Sequence, residues 1–215
     1  METKNHDFVE IEYTGKVDGM VFDTSDEHTA KLSNIYNQNT SYGPIVICLG
    51  ESHVLPGLDK NLIGRQPGQY TFIIHPEDGF GKKSAKLLKL VPASIFKKQK
   101  VNPMPGLQIN IDGVTGIIKT ANGGRVIVDF NHPLSGKELE YEIKLNRVVD
   151  DPQEKIRAIV KLLVNQNPTI EIQGTTAALT LETALPEGVG NQLSAKIKEL
   201  VGMEISLKEP QKPQS

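Results

Sequence analysis

Phe8-Val9-Glu10-Ile11-Glu12-Tyr13-Thr14 alternates apolar and polar side chains, the period-two pattern of a β-strand with one dry face and one wet face. Asp18-Gly19 supplies a tight turn into Val21-Phe22, so the chain opens as a hairpin. Residues 26–43, rich in Asn, Ser and Thr, read as a loop with a short helix around Ala30 to Tyr36, at the mouth of a pocket, before a strand from Ile45 to Leu49. Glu51-Ser52-His53 starts a short helix in which Leu55, Leu58 and Leu62 recur at helical spacing and which Gly64 stops. Gln69 to Ile74 alternates again, and Glu138 to Val149 supplies a closing strand. The fold class is therefore α+β.

A chain of 215 residues suggests two or three small units. Hydrophobic residues make up 38% of it and aromatics 5%, without tryptophan, so the cores are built from Ile, Val and Leu and large rings are scarce. Past Lys86, Lys89-Leu90-Val91-Pro92 leads into Ala93-Ser94-Ile95-Phe96. The strand patterns 108–111, 116–119 and 126–129 follow, separated by turns at Asp112-Gly113 and Asn122-Gly123-Gly124. This spacing predicts a small antiparallel, all-β insert. Asp150-Asp151-Pro152 then reads as a linker and helix start. Ile156, Ile159, Val160 and Leu163 form one helical face, Thr169–Gln173 and Ala177–Thr183 two strands, Val189–Val201 a second helix and Met203–Leu207 a last strand. The result is an α-β-β-α-β module. At about 55 residues its core is marginal alone, so it is expected to dock on a neighbour or to pair with a copy of itself as a homodimer. The tail Glu209–Ser215 is expected to be disordered.

With a net charge of −2 the chain offers no uniform field for nucleic acid or an anionic membrane, and neither is expected as a partner. The polar start Met1-Glu2-Thr3-Lys4 and the absence of a long apolar run make the expectation a cytoplasmic protein. Cys48, among Ile45-Val46-Ile47 and Leu49, reads as an unreactive core thiol. The five histidines are not closely spaced, so no metal site is expected. No glycine run precedes a Lys-Ser or Lys-Thr, and no serine, cysteine or histidine nucleophile is visible; no cofactor is implied.

Tyr13-Thr14-Gly15 leading to Val21-Phe22-Asp23, then Val54-Leu55-Pro56-Gly57-Leu58-Asp59, then His75-Pro76-Glu77-Asp78-Gly79-Phe80-Gly81 each place apolar side chains beside a glycine turn. Asn131-His132-Pro133-Leu134-Ser135-Gly136 and Leu139-Glu140-Tyr141-Glu142-Ile143 continue the series. That order resembles the FKBP-type peptidyl-prolyl isomerases. The insertion of roughly fifty residues is similar to that of the SlyD-like branch, and the longer chain to its long archaeal members. The resemblance implies an antiparallel half-barrel wrapping a short helix over 1–86 plus 136–149, an inserted flap domain over 87–135, the module over 150–208 and the tail 209–215.

It further implies Tyr13, Asp23, Phe80 and Tyr141 as catalytic residues and Phe22, Ile45, Val54, Leu55 and Leu58 as the proline-binding walls and floor. Met104, Leu107, Val114 and Ile118 are implied as a chaperone surface on the insert, with Pro103-Met104-Pro105-Gly106 as its lip. Unfolded, proline-containing polypeptides are the implied partners. An X-Pro bond turns slowly because rotation breaks amide resonance, a barrier of ~18–20 kcal/mol. A dry hollow favours the less polar twisted amide without any covalent step. Two departures stand out: Leu58 replaces a floor Trp, and Phe80 replaces a hydrogen-bonding Tyr of the best-known members. They leave open an alternative, a holdase chaperone whose pocket has decayed.

Overall fold

The computed structural model describes residues 2–111 and 113–208. Asp112 of the expected turn and the whole tail 209–215 lie outside them. In chain order the strands are β1 (Phe8–Val17), β2 (Met20–Thr24), β3 (Ile45–Cys48), β4 (Gly68–Ile74), β5 (Leu88–Pro92), β6 (Gln108–Ile111), β7 (Val114–Asn122), β8 (Arg125–Asp129), β9 (Leu139–Val149), β10 (Thr169–Gln173), β11 (Thr176–Thr180) and β12 (Glu204–Lys208). The helices are α1 (Glu27–Leu32), α2 (Pro56–Leu62), α3 (Ala93–Lys98), α4 (Pro152–Val164) and α5 (Glu187–Val201). By contacts the chain divides into two units, His75–Glu138 and the remainder.

In the larger unit β1 is the organising strand. One edge pairs along its length with β9, from Phe8 opposite Val149 to Lys16 opposite Glu140. Its other edge is shared: β3 takes the first half, with Phe8 opposite Cys48 and Ile11 opposite Ile45, and β2 takes the second. Strand β4 adds outside β9, and all these pairings are antiparallel. Ile74 lies directly opposite Leu139, so the second unit is threaded between two paired residues of neighbouring strands.

Two helices start at places other than the sequence pattern suggests. Asp26 accepts the Thr29 N–H at 2.7 Å and so begins α1 at Glu27, ahead of the expected Ala30. Helix α2 begins at Pro56, because proline is preorganised for a first helical position and Ser52 is held at φ +58° instead of helical geometry. The buried Asp59 on α2 reaches back to accept the Ser52 N–H at 3.2 Å, which fixes the approach carrying Val54 and Leu55. Burial pushes the Asp59 carboxyl above the usual range, against the pull of the Gly50 and Ser52 amides.

The C-terminal module is α4-β10-β11-α5-β12, with β10 antiparallel and β12 parallel to β11. Its two helices do not close a core by themselves. Ile156, Ile159 and Val160 of α4 and Leu193 and Ile197 of α5 share one cluster with Phe8, Cys48 and Val149 of the first sheet. Docking on that sheet supplies core that the module lacks alone. Burial also pushes the Cys48 thiol up to about 12, so it is inert as a nucleophile.

The smaller unit is a sheet in the order β5-β8-β7-β6. It is not all-β as expected: α3 lies in it, and Phe96 from that helix packs with Ile118, Val126 and Val128. A single turn and a half of helix carries too few residues to show a 3.6-residue period. Ile118 was expected on a chaperone surface; it is fully buried in this core, and Leu107 is partly buried against it. Met104 and Val114 are more than half exposed. The linking segments belong to this unit because they bond to each other: the Ser84 N–H donates to Asn131 Oδ1 at 2.8 Å and the Ser135 hydroxyl to the Phe80 carbonyl at 2.9 Å.

Truncating Ile159 to alanine should cost ~2–5 kcal/mol in urea unfolding and should also speed labelling of Cys48 by a thiol reagent. A stability loss with Cys48 protection unchanged would show that α4 does not seal the first sheet.

Candidate functional site

Sheet register brings the aromatic residues together. Across β2, β1, β9 and β4 runs the row Asp23, Gly15, Tyr141, Phe72, each directly opposite the next. Opposed residues on antiparallel strands share a face, and Tyr13, two residues before Gly15, shares it as well. Phe22 should point the other way. However, Gly15 faces Asp23 while Lys16 faces Val21, so Phe22 is the extra residue of a β-bulge. The bulge lets its ring meet Tyr141 edge-on, with centroids 5.8 Å apart and planes at 88°. The Tyr13 ring lies 6.2 Å from Tyr141 at 44°.

Gly15 makes this packing possible. A Cβ there would stand 2.9 Å from the Tyr141 ring and 3.0 Å from that of Phe22, closer than carbon atoms pack. The requirement is for space rather than for unusual backbone geometry, and the sequence offered no sign of it beyond the Tyr-Thr-Gly motif.

The strand end is clipped around Tyr13. Its N–H donates to the Ser25 hydroxyl at 2.9 Å, and its carbonyl accepts the Ser25 N–H at 2.9 Å and the Thr24 hydroxyl at 3.0 Å. Thr24 and Ser25 are both buried, so these bonds are sheltered from water. Gly43 donates to the Ser25 carbonyl at 2.7 Å, which ties the 33–44 loop to the same point. Nothing in the sequence pattern pointed to this clip.

Asp23 is exposed at the rim, and its carboxylate accepts the Tyr13 hydroxyl. Loss of hydration against the rings holds this carboxyl above the ordinary range, while the bonds from Tyr13 and the Thr24 amide pull it part of the way back. Burial, with the Asp23 charge added, raises both the Tyr13 and Tyr141 phenols, so both keep their protons at physiological pH.

The other expected residues fall as follows. Leu58 is buried on α2, and its N–H donates to the Leu55 carbonyl at 2.8 Å. Val54 and Leu55 are half-buried just before that helix, and Ile45 is half-buried opposite Ile11. Nearby, the Cys48 N–H donates to His53 Nδ1 at 3.0 Å; burial lowers the His53 pKa and keeps that nitrogen an acceptor. Phe80 belongs to the smaller unit, where it stacks on His132 with centroids 4.3 Å apart. His132 was not expected as a site residue. Among the described residues no group of His, Cys, Asp and Glu side chains could hold a metal, and no helix is long and apolar enough to cross a membrane.

Carboxyl-carbon NMR should place the Asp23 titration above the ordinary Asp range, and Tyr13→Phe should move it higher by removing a bond to the charged form. Because the folded value exceeds the unfolded one, the associated stability is present below the unfolded value and lost as pH rises through the folded one. Asp23→Asn should therefore be no less stable than wild type near pH 7. Gly15→Ala should cost ~1–3 kcal/mol by overpacking and perturb the Tyr141 and Phe22 ring shifts; unchanged shifts would contradict the contact.

A family model described as "FKBP26, IF domain" matches residues 89–134. A short-type peptidyl-prolyl cis-trans isomerase of Methanocaldococcus jannaschii is 35% identical over 146 residues, which are 67% of this chain and 93% of that protein. The SlyD isomerase of Helicobacter pylori is 26% identical over 159 residues, 72% of this chain and 83% of its own. A probable FKBP-type 16 kDa isomerase of Pseudomonas fluorescens is 30% identical over 108 residues, 47% of this chain and 71% of its own. A relative matched almost end to end, together with an inserted domain of matching type, places this chain in a family: it belongs to the FKBP-type peptidyl-prolyl cis-trans isomerases, in the SlyD-like branch.

Proposed function

We propose that the chain speeds proline-limited folding by turning X-Pro bonds in the hollow walled by Phe22, Tyr141 and Tyr13, and that its inserted domain holds unfolded polypeptide meanwhile. The observation that carries the first half is the aromatic row around Gly15, with Asp23 hydrogen-bonded to Tyr13 at its rim. A planar amide is strongly polar and well hydrated. A twisted one is less so, and a wall of rings takes it from water at smaller cost, so the barrier falls by differential binding alone. Leu58 serves as floor, Ile45, Val54 and Leu55 as walls, and Asp23 presents a fixed dipole to the turning carbonyl. Phe80, in the smaller unit, has no hydroxyl to donate to a substrate carbonyl.

For the second half, Met104 and Val114 are exposed apolar side chains on the insert. Leu90 on β5 is opposite Ile127 on β8, and both are exposed. A flexible thioether and branched side chains suit promiscuous contact. Because the insert is covalently joined to the isomerase domain, weak capture there raises the local concentration of prolines.

Substoichiometric protein should accelerate a proline-limited refolding phase, and Asp23→Ala should slow that catalysis on the order of tenfold, ~1.4 kcal/mol. Met104→Ser with Val114→Ser should raise KM for an unfolded protein and leave a tetrapeptide unaffected. Aggregation suppressed only at stoichiometric amounts, with no turnover, would favour the holdase reading instead.

A further inference from the structure

A groove of about 380 Å³ lies between the end of the 33–44 loop with strand β3 and helix α4, lined by Pro44, Ile45 and Val46 on one side and Arg157, Ala158 and Lys161 on the other. We propose that it extends the substrate cleft and takes the residues of a client chain that flank its proline, favouring an acidic side chain among them. The inference rests on the reading of the aromatic hollow as the prolyl site and adds a second subsite to it.

Continuity is the first argument. Ile45, assigned to the wall of the hollow, also lines the groove. It sits opposite Ile11, two residues from Tyr13 on the same strand. Ile45 and Val46 lie on opposite faces of this edge strand, Val46 against the cluster that contains α4, so a polypeptide whose proline occupies the hollow would enter the groove by passing round the β3 edge, an extended chain advancing ~3.3 Å per residue. β3 pairs with β1 on one side, and among the described residues no strand covers its other edge. The Cys48 N–H on that edge is taken by His53 Nδ1, and the Ile45–Val46 end beside the apolar trough suits an extended peptide better than a compact ligand.

Charge is the second. Glu154 lines the groove, but its carboxylate is held by Arg147 at 2.6 Å, and Arg147 also binds Glu10 at 2.9 Å. Arg157 and Lys161, one turn apart on the exposed side of α4, have no ion pair among the described residues. The apolar trough thus has two uncommitted cations on its rim, which complements a segment that carries apolar residues and a carboxylate.

The groove exists because the C-terminal module is docked: α4 supplies one of its two walls. That gives the module a role in substrate binding and explains why a docked α4 leaves Leu162, which also lines the trough, 39% exposed.

The test uses the full-length protein and cis–trans exchange measured by NMR on three peptides: a tetrapeptide that spans only the hollow, and two ten-residue peptides with the same proline core flanked on both sides by Glu or by Lys. Wild type should turn over the Glu-flanked peptide with the lowest KM, an advantage that shrinks with added salt. Ala158→Arg, which fills the trough, should raise KM for the long peptides about tenfold, ~1.4 kcal/mol, with tetrapeptide exchange unchanged. Arg157→Glu with Lys161→Glu should invert the Glu-over-Lys preference, and Arg157→Gln with Lys161→Gln should abolish it. Equal effects on tetrapeptide and long peptides, or none on either, would overturn the proposal. So would a change confined to self-association in sedimentation, which would make the groove a seat for a second copy. If wild type exchanges no peptide, the reading of the hollow itself fails and the groove falls with it, an outcome distinct from tetrapeptide turnover that is indifferent to the groove.

Discussion

Tyr141 can lie across the central strand only because residue 15 has no side chain. That contact seats the Tyr141 ring over the backbone of Gly15 and leaves room for the Phe22 ring. The bulge at Phe22 has the same effect: it breaks the alternation of β2 so that two consecutive residues, one ring and one carboxylate, serve the same face. Clipped at Tyr13 by Ser25 and Thr24, the hairpin has little freedom to relax away from that geometry.

Strand β1 does a second job. Its first residue, Phe8, is part of the core shared with α4 and α5, while five residues on Tyr13 sets its ring beside that of Tyr141. The C-terminal module is thereby built onto the isomerase domain and continues its core. Its helix α4 comes within reach of β3, and a groove lies between them. A module too small to stand alone thus gains stability from the sheet and gives that sheet a further wall.

Much of this was legible in the sequence because it is local. The Phe8–Thr14 alternation and the Asp18-Gly19 turn specify the hairpin. The order of helices and strands after Asp150 follows from periods of 3.6 and 2, and the family motifs name Phe22, Asp23 and Tyr141. What was not legible depends on pairing across the chain. The Phe22 bulge is a one-residue slip against β1, which no window of β2 reveals. Gly15 looks like a turn glycine until Tyr141 is placed opposite it. Ile118 has the composition of a sticky surface residue and becomes core once α3, too short to show a period, lays Phe96 against it. Asp59 and Ser52 form a bond seven residues apart that has no sequence signature.

The central claim is that a dry aromatic hollow turns the X-Pro bond by fitting its twisted form. The most direct measurement is NMR of a proline tetrapeptide with the protein, recording cis–trans exchange peaks together with intermolecular contacts from the proline ring. The account predicts exchange well above the uncatalysed rate, with the proline ring against the Phe22 and Tyr141 side chains. Exchange without those contacts, or contacts without exchange, would contradict it.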